Sequence, residues 1–550
     1  MRRIICASSC LLYNRKLITS NMAKPISDFK EWKFRLPPSY VQLPITGYPD
    51  YNIPRAVKDA VFVKVPTEPL TGKIDLVCVS NDALTDILDL DPVVAESEEF
   101  VEFINGKYLP QGALSVCHGY GGYQFGFWAD QLGDGRAHIL GEYVNSKGEL
   151  WQLQLKGSGE TPFSRFGDGR AVLRSSLREM VASEACHHLG IPTTRAAGLV
   201  ASDSHKVLRD RSYSGLARPE RAAVLLRLAP SWMRIGSFEL MHRRQQTDML
   251  VELADHVIKH FFSHIDLNDK DKYVKFFTEV AHKNLDMVAT WQGLGFTHGV
   301  LNTDNISILG LTIDYGPFGF IEHYYENYVP NSSDDMGRYA FNKQPEILLW
   351  NLGKLAEALQ LILCDESKKK IKDVIDTLEL YVKDKILHTY ILKLGLTEVR
   401  KGDDKLVKDF LEMMQQTSSD FTGSFRQISE ISLNQLLDKE TLESKWALAR
   451  LSKSKNWDKW IQRYKDRCCQ ENVNEDERVK HMLKVNPLYV PRNWMLQEAI
   501  KDAENNDFNK VRLLLEIFTK PYEANEEAEK LGYSSQPPSW SFGLKLSCSS

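Results

Sequence analysis

The sequence predicts an α+β protein of two lobes, a mixed β lobe first and a helical lobe second, with a helical extension at the C-terminal end. Three observations predict it. Residues 119–238 are dominated by short, glycine-punctuated or alternating segments, including the strand-like run Glu149–Leu155 (ELWQLQL). From Met241 onward the apolar spacing is helical almost throughout. Interrupting the helical part is His298–Gly319, HGVLNTDNISILGLTIDYGPFG, which carries Asp304-Asn305 and, about ten residues on, Asp314-Tyr315-Gly316.

The length agrees with this division, because 550 residues exceed one ordinary hydrophobic core. The expected parts are a leader over 1–27, a first lobe with an N-terminal extension over 28–240, a helical lobe over 241–400, and a helical extension with a cysteine-bearing tail over 401–550. With 69 basic and 73 acidic side chains the net charge is −4, which argues against bulk binding to nucleic acid or to a membrane surface. No apolar run approaches the length of a membrane span.

The leader is read from its composition. Arg2, Arg3, Arg15, Lys16 and Lys24 occur with Ser8, Ser9, Thr19 and Ser20, and no acidic residue precedes Asp28. A basic, hydroxyl-rich, acid-free start resembles a mitochondrial presequence, and Met22 is an alternative start that would give a cytosolic form. The secretory alternative is weaker, since Ile4–Tyr13 is short and broken by serines. The nine cysteines are scattered without zinc-site spacing. Cys548, three residues from the end in a Ser-Cys-Ser-Ser tail, is expected to be an accessible thiol.

Residues 30–110 read as proline-rich and irregular, with one helical patch at Asn81–Leu90. Glycine then recurs every few residues over Gly119–Glu142. It suits a β-hairpin whose backbone approaches a phosphate chain, although an ordinary glycine-rich turn explains it equally well. No Walker A sequence is present. Gly133-Asp134-Gly135-Arg136 is the better part, since an arginine after the turn is able to fork onto phosphate oxygens.

Glu149–Leu155 is expected to be a half-buried strand delivering Lys156, followed by a loop through Phe163–Gly169 and a helix over Ala171–Leu189 that carries Glu179. A strand lysine held by a helix glutamate fixes an ammonium for phosphate contact, and the alternative is two solvated charges. Arg227 and Arg234 lie in the mostly apolar run Ala222–Phe238. Buried arginines need anions, so they read either as a clamp on a polyphosphate or as partners of core carboxylates.

In the central stretch, Ile306 and Ile308 alternate, Gly310 permits a turn, and Leu311 and Ile313 alternate back, which predicts a β-hairpin. This is the layout of a protein-kinase-like catalytic region, with a metal-binding Asn, a small hairpin and a metal-binding Asp before glycine. Oxygen ligands from Asn305 and Asp314 suit Mg²⁺, with Mn²⁺ as an alternative ion. One position departs from kinases: the residue after His298-Gly299 is Val300, which accepts no proton, and the nearest replacement is Asp304. Helices are predicted over 248–264, 270–293, 346–363, 367–394, 405–416, 433–451 and 458–470. Asn486–Ile500 reads as an apolar segment docking on the body, and the tail from Gly532 as flexible.

Four segments together resemble the selenoprotein O family of kinase-like proteins: QLGDGRA at 131–137, LQLKGSGETPFSRFGDGRAVLRSSLRE at 153–179, RLAPSWMRIGSFE at 227–239 and HGVLNTDNISILGLTIDYGPFGF at 298–320. The resemblance implies a protein-kinase-like bilobal fold. It also implies transfer of AMP from ATP, bound in flipped orientation, to Ser, Thr or Tyr hydroxyls of protein substrates, with a mitochondrial location in eukaryotes. It implies that Gly133, Gly135, Arg136, Lys156, Asp168 and Gly169 line the nucleotide and that Glu179 holds Lys156. Arg227 and Arg234 would grip the polyphosphate, Asn305 and Asp314 would bind Mg²⁺, and Asp304 would accept the proton. Cys548 stands where some members carry selenocysteine, so a redox role would use sulfur. Leu546 and Pro330, where relatives have partner cysteines, put an internal redox switch in doubt, and Tyr123 replaces a histidine common in the glycine hairpin.

Overall fold

The computed structural model describes residues 24–210, 215–471, 474–544 and 546. Most of the expected leader, including Met22, and Cys548 lie outside them. Among the described residues, nine strands form one mixed sheet in the order Ile45–Gly47, Phe62–Lys64, Val116–His118, Ala137–Val144, Leu150–Lys156, Arg218–Ala229, Arg195–Arg209, Ile74–Val79, with Ala171–Val172 added against Arg218–Ala229. The first pair is parallel and the others are antiparallel.

Leu150–Lys156 lies between Ala137–Val144 and Arg218–Ala229, with Lys156 opposite Ala137 on one side and Leu225 on the other. Strand alternation therefore gives this segment two different faces. Leu153 and Leu155 point outward into a cluster with Phe29, Trp32, Phe34, Leu226 and Leu228, so the N-terminal extension covers the sheet's back. Gln152, Gln154 and Lys156 point the other way. The expected half-solvated strand is thus a correction: Gln152 and Gln154 are buried, because the helical half of the molecule closes over their face.

On the opposite face, toward which Lys156 points, runs helix Leu173–His188, buried along most of its length. Its core is continuous with helices Thr247–Phe261, Lys272–Leu294 and Gln344–Leu359. A second apolar cluster unites the end of Asp365–Lys393 with Asp403–Thr417, Phe421–Ser429 and Trp457–Cys468. The chain then returns: Asn493–Glu504 and Asn509–Thr519 pack on Leu173–His188, consistent with the apolar docking segment read from the sequence.

Several expectations are corrected. The region 30–110 holds three strands and a second helix, Glu98–Ile104, besides Asn81–Asp86. Two of those strands are three residues long, too short to show a period. The helix expected over 433–451 is broken into Gln435–Leu437, Lys439–Ser444 and Trp446–Leu451, because Asp438 caps a new helix start by accepting from Thr441 N. The central hairpin is reduced to a single antiparallel bridge, Ile306 to Thr312, around Gly310 at φ +69°. The tail expected to be flexible lies along the body: Trp540 meets Trp494, Phe542 stacks on His323, and Leu546 pairs with Asn331. No described helix is long and apolar enough to cross a membrane.

Candidate active site

The sheet register assembles the site. Gln154 faces Arg227 across adjacent strands, and the Arg227 Nη2 donates to Gln154 Oε1. One position further, Lys156 projects toward helix Leu173–His188 and its Nζ lies 2.6 Å from Glu179 Oε2. The same ammonium is 3.4 Å from Asp314 Oδ1. Arg227 Nη1 bridges Glu179 Oε1 at 2.8 Å and Asp314 Oδ1 at 2.5 Å. Arg234, at the start of helix Ile235–Arg243, donates from Nη1 to Asp314 Oδ2 and to Asp304 O, both at 2.8 Å. Trp232 and Tyr120 back the two guanidiniums at 4.6 and 4.4 Å, so each cation is held against an aromatic face.

Three cations thus converge on Asp314, whose φ of +56° lies in the left-handed region. Burial alone would raise its pKa, but Arg227, Lys156 and Arg234 outweigh burial and hold the carboxyl well below its usual range. Glu179 is likewise lowered: burial opposes ionisation, and Lys156 and Arg227 win. Burial lowers the Lys156 pKa, with Glu179 pulling against it and Arg227 adding to the lowering. Arg136 borders this group; its pKa is lowered by burial, with Glu179 and Asp314 acting the other way.

Asp304 occupies the 3₁₀ turn Thr303–Asn305. Its Oδ2 accepts from Gln124 Nε2 at 3.3 Å, while Oδ1 is buried without a partner. Burial raises the carboxyl to about 6, partly countered by Arg234. Asn305 Nδ2 donates to Val300 O at 3.0 Å. Val300 therefore serves through its backbone carbonyl, which holds the Asn305 amide by its nitrogen. His298 fixes the loop from behind, with Nε2 donating to Ile313 O at 2.8 Å. Mg²⁺ fits this donor set, since Asn305 and Asp314 offer hard oxygens and phosphates and water would complete the shell. Among the described residues no cluster of three His, Cys, Asp or Glu could hold a metal by itself.

The three glycines Gly133, Gly135 and Gly169 each have a close protein neighbour. Gly133 has φ +143°, and a Cβ there would meet Phe163 Cγ at 2.5 Å. A Cβ on Gly135 would meet Phe163 O at 2.7 Å, and one on Gly169 (φ +68°) the carbonyl carbon of Gly159 at 2.2 Å. Gly133 thus admits the Phe163 ring, and Gly135 and Gly169 admit backbone of the loop 159–169. The stretch 119–142 is not one hairpin. Its first part forms the small hairpin Tyr123–Gln124/Phe127–Trp128, which rests on the Asp304 loop through Tyr123 N to Thr303 Oγ1 at 2.8 Å. Asp168 is engaged elsewhere: Arg209 grips both its oxygens at 2.7 Å, which, against burial, keeps its pKa low. Its link to the cluster is electrostatic, through Arg209 acting on Arg136.

Sequence reading missed Gln154, Asp134, Gln124 and Thr303. Asp134 accepts from Gln154 Nε2 at 3.2 Å and is raised by burial to about 6. The available signal was Gln152 and Gln154 alternating in step with Lys156, which marks the strand's second face as polar and buried.

A mixed sheet presenting a lysine to a helix glutamate, an arginine pair, and an Asn and an Asp on successive loops of a helical lobe define a kinase-like nucleotide site. Comparison with known proteins narrows the class: a family model described as "Protein adenylyltransferase SelO" matches residues 55–519, and the chain belongs to that family. It is 41% identical over 471 residues to the "Protein nucleotidyltransferase YdiU" of Myxococcus xanthus (strain DK1622), covering 86% of this chain and 92% of that one. Proteins of the same description from Pseudomonas fluorescens (strain Pf0-1) and Azoarcus sp. (strain BH72) are 40% and 41% identical. They align over 500 and 503 residues, 90% of this chain and 96% and 95% of theirs.

Proposed function

We propose that this chain is a protein adenylyltransferase that moves AMP from ATP to Ser, Thr or Tyr hydroxyls of other proteins. One observation carries the reading: the buried carboxyl beside the Asn305 ligand, with one oxygen unpartnered, belongs to Asp304, while the position of a kinase base is Val300. In this reading Lys156, Arg227 and Arg234 transfer their hydrogen bonds from Asp314 to the polyphosphate. Asp314 and Asn305 would hold Mg²⁺, with Mn²⁺ as substitute. The ion, when bound, offsets charge on phosphoryl oxygens. Asp304 accepts the hydroxyl proton as the acceptor oxygen bonds to the α-phosphorus and the bond from that phosphorus to the bridging oxygen breaks, releasing diphosphate. Arg227 and Arg234, each backed by an aromatic ring, reorganise little as negative charge shifts onto the leaving group.

Asp304→Ala tests the assignment: ATP binding is retained and AMP transfer is lost. Full transfer by Asp304→Ala removes Asp304 as the base. The saturation of Asp314 by three cations favours a second reading, a nucleotide-binding pseudokinase scaffold, which predicts ATP binding without transfer by the wild type. The acid-free basic start supports a mitochondrial location, with Cys548 as a candidate thiol for redox exchange. Failure of residues 1–27 to carry a reporter into mitochondria would remove that location.

A further inference from the structure

Beside the Asp304 turn lies a patch of cations and aromatic rings that the reaction outlined above does not use. The hairpin Tyr123–Gln124/Phe127–Trp128 carries it: Gln124 Nε2 donates to Asp304 Oδ2 at 3.3 Å, and Phe125 N to Tyr339 Oη at 2.8 Å. Tyr123 meets Trp128 at 5.4 Å and Trp350 at 5.3 Å between ring centroids. Three cations lie over these rings. Arg243 is 5.0 Å from the Trp128 centroid, Arg338 is 4.9 Å from that of Trp350, and Lys354 is 4.8 Å from that of Tyr123. Arg338 also reaches the hairpin tip, where a Cβ on Gly126 would lie 3.3 Å from its guanidinium carbon. Phe127 of the hairpin and Met336, two residues before Arg338, are 79% and 88% exposed.

These charges are unevenly satisfied. Lys354 is paired with Glu357 at 2.8 Å. Arg243 donates to the Tyr123 hydroxyl, yet neither it nor Arg338 forms an ion pair among the described residues, and Arg338 Nε is buried without a partner. The acids near by are committed elsewhere or stand apart. Glu357 is held ionised first by the Lys354 hydrogen bond, with Arg243 adding from beyond ion-pair distance. Asp334 accepts from Arg338 N and Tyr339 N at 2.9 and 2.8 Å. Asp130 and Asp335, exposed and close along the chain, pair with neither arginine. A guanidinium lying on an aromatic face keeps its in-plane N–H groups for a carboxylate, which it takes as a fork. Stacked arginines beside exposed apolar side chains are the composition of a protein-binding surface. A polyphosphate has its own cations in Lys156, Arg227 and Arg234, around Asp314.

We propose that this patch is the docking surface for the protein substrate and that it takes an acidic segment flanking the acceptor hydroxyl. Arg243 and Arg338 fork onto Asp or Glu side chains, and an apolar neighbour lies on Phe127. The inference rests on AMP transfer being the activity of this site and names its substrate class. Continuity with the base identifies the occupant. The hairpin that carries the patch touches Asp304 through Gln124, so a chain lying on it brings a hydroxyl toward the unpartnered Asp304 Oδ1. An extended chain advances about 3.3 Å per residue, which places the acids about two to four residues from the acceptor. A basic segment would meet two arginines without carboxylate partners and is disfavoured by like charge.

The test uses the full chain, α-labelled ATP and matched synthetic peptides. Each peptide has a single Ser, Thr or Tyr, flanked about three residues away on both sides by either Glu or Lys, with a leucine beside each charge. Transfer is expected to be at least about 10-fold higher in kcat/KM on the Glu peptides, with the difference shrinking at high salt. Arg243→Glu combined with Arg338→Glu is expected to reverse the preference, with ATP affinity by calorimetry within about 2-fold of the wild type. The gain on Lys peptides shows in the same assay that this variant is folded. Arg243→Glu alone is expected to cost about 3- to 10-fold on the Glu peptides, and this exposed position decides the matter where the double variant loses ATP binding. Equal transfer to Glu and Lys peptides overturns the proposal, as does label on proteins but on no peptide, or a preference unchanged in the variants. Absence of label on any peptide or protein defeats the activity reading instead. Fluorescence anisotropy of dye-labelled peptides then still reports whether the surface prefers Glu over Lys, so the two failures are told apart.

Discussion

Arg227 holds Asp314 and Glu179 through a single nitrogen, Nη1, at 2.5 and 2.8 Å. One guanidinium thus joins the carboxylate proposed for the metal to the carboxylate that positions Lys156. The arginine pair read from the sequence as either a phosphate clamp or a set of core partners is paired with Glu179 and Asp314. On the proposed function, nucleotide arrival is an exchange of anions around three fixed cations.

That exchange predicts the behaviour of Asp314→Ala. With the carboxylate gone, Arg227, Arg234 and Lys156 lose a shared counter-ion, and a phosphate chain becomes the available replacement. Metal-free ATP is expected to bind about 10-fold more tightly than to the wild type, while Mg²⁺-dependent transfer is lost. Calorimetric titration with and without Mg²⁺ reads both effects. Weaker metal-free binding would contradict the exchange.

Glu179→Ala removes a carboxylate that is 4% exposed and leaves Lys156 and Arg227 short of a partner. Breaking a buried pair from one side costs about 3–5 kcal/mol, so denaturant unfolding is expected to show a loss of that order. Transfer at subsaturating ATP is expected to fall at least about 10-fold, because the ammonium is no longer aimed. A variant with unchanged stability would mean that Lys156 finds another anion.

These two residues illustrate what was legible in the sequence. Lys156 and Glu179 are read from a strand and a helix in the expected order, and Asn305 and Asp314 from a loop pattern, since each depends on local spacing. Gln154 and Thr303 are not legible, because their roles arise from cross-strand register and from a hairpin meeting a distant turn. The N-terminal extension is read as irregular although it covers the back of the sheet, because strands as short as Ile45–Gly47 and Phe62–Lys64 carry no measurable period. The glycines at 133, 135 and 169 are noticed in sequence as a cluster, but the Phe163 and Gly159 approaches that require them arise from tertiary contact and are not legible there.

Asp304 makes the pH dependence specific. As a base it must be ionised, and burial raises its carboxyl to about 6. Transfer is expected to be low at pH 5, to rise through about 6 as the proton is lost, and to level off above 7 on this limb. A rate that is flat from pH 5 to 8 would remove Asp304 from the rate-determining proton transfer.

Gly122→Ala probes the same carboxylate from the hairpin side. A Cβ at this position would lie 2.8 Å from both Asp304 Cβ and Oδ1, so the side chain has to move. Displacing a catalytic group by about 1 Å costs up to about 100-fold, and transfer is expected to fall by about 10- to 100-fold with ATP affinity unchanged. Equal losses in binding and transfer would place the damage in the nucleotide pocket instead.

The most direct measurement incubates the full chain and Mg²⁺ with ATP labelled at either the α- or the γ-phosphate and counts label retained on protein. The account predicts retention from α-labelled ATP alone, because AMP is the group moved. Retention from γ-labelled ATP alone would contradict it and make this chain a phosphotransferase with a displaced base. Retention from neither, with ATP still bound, would contradict it in favour of the scaffold.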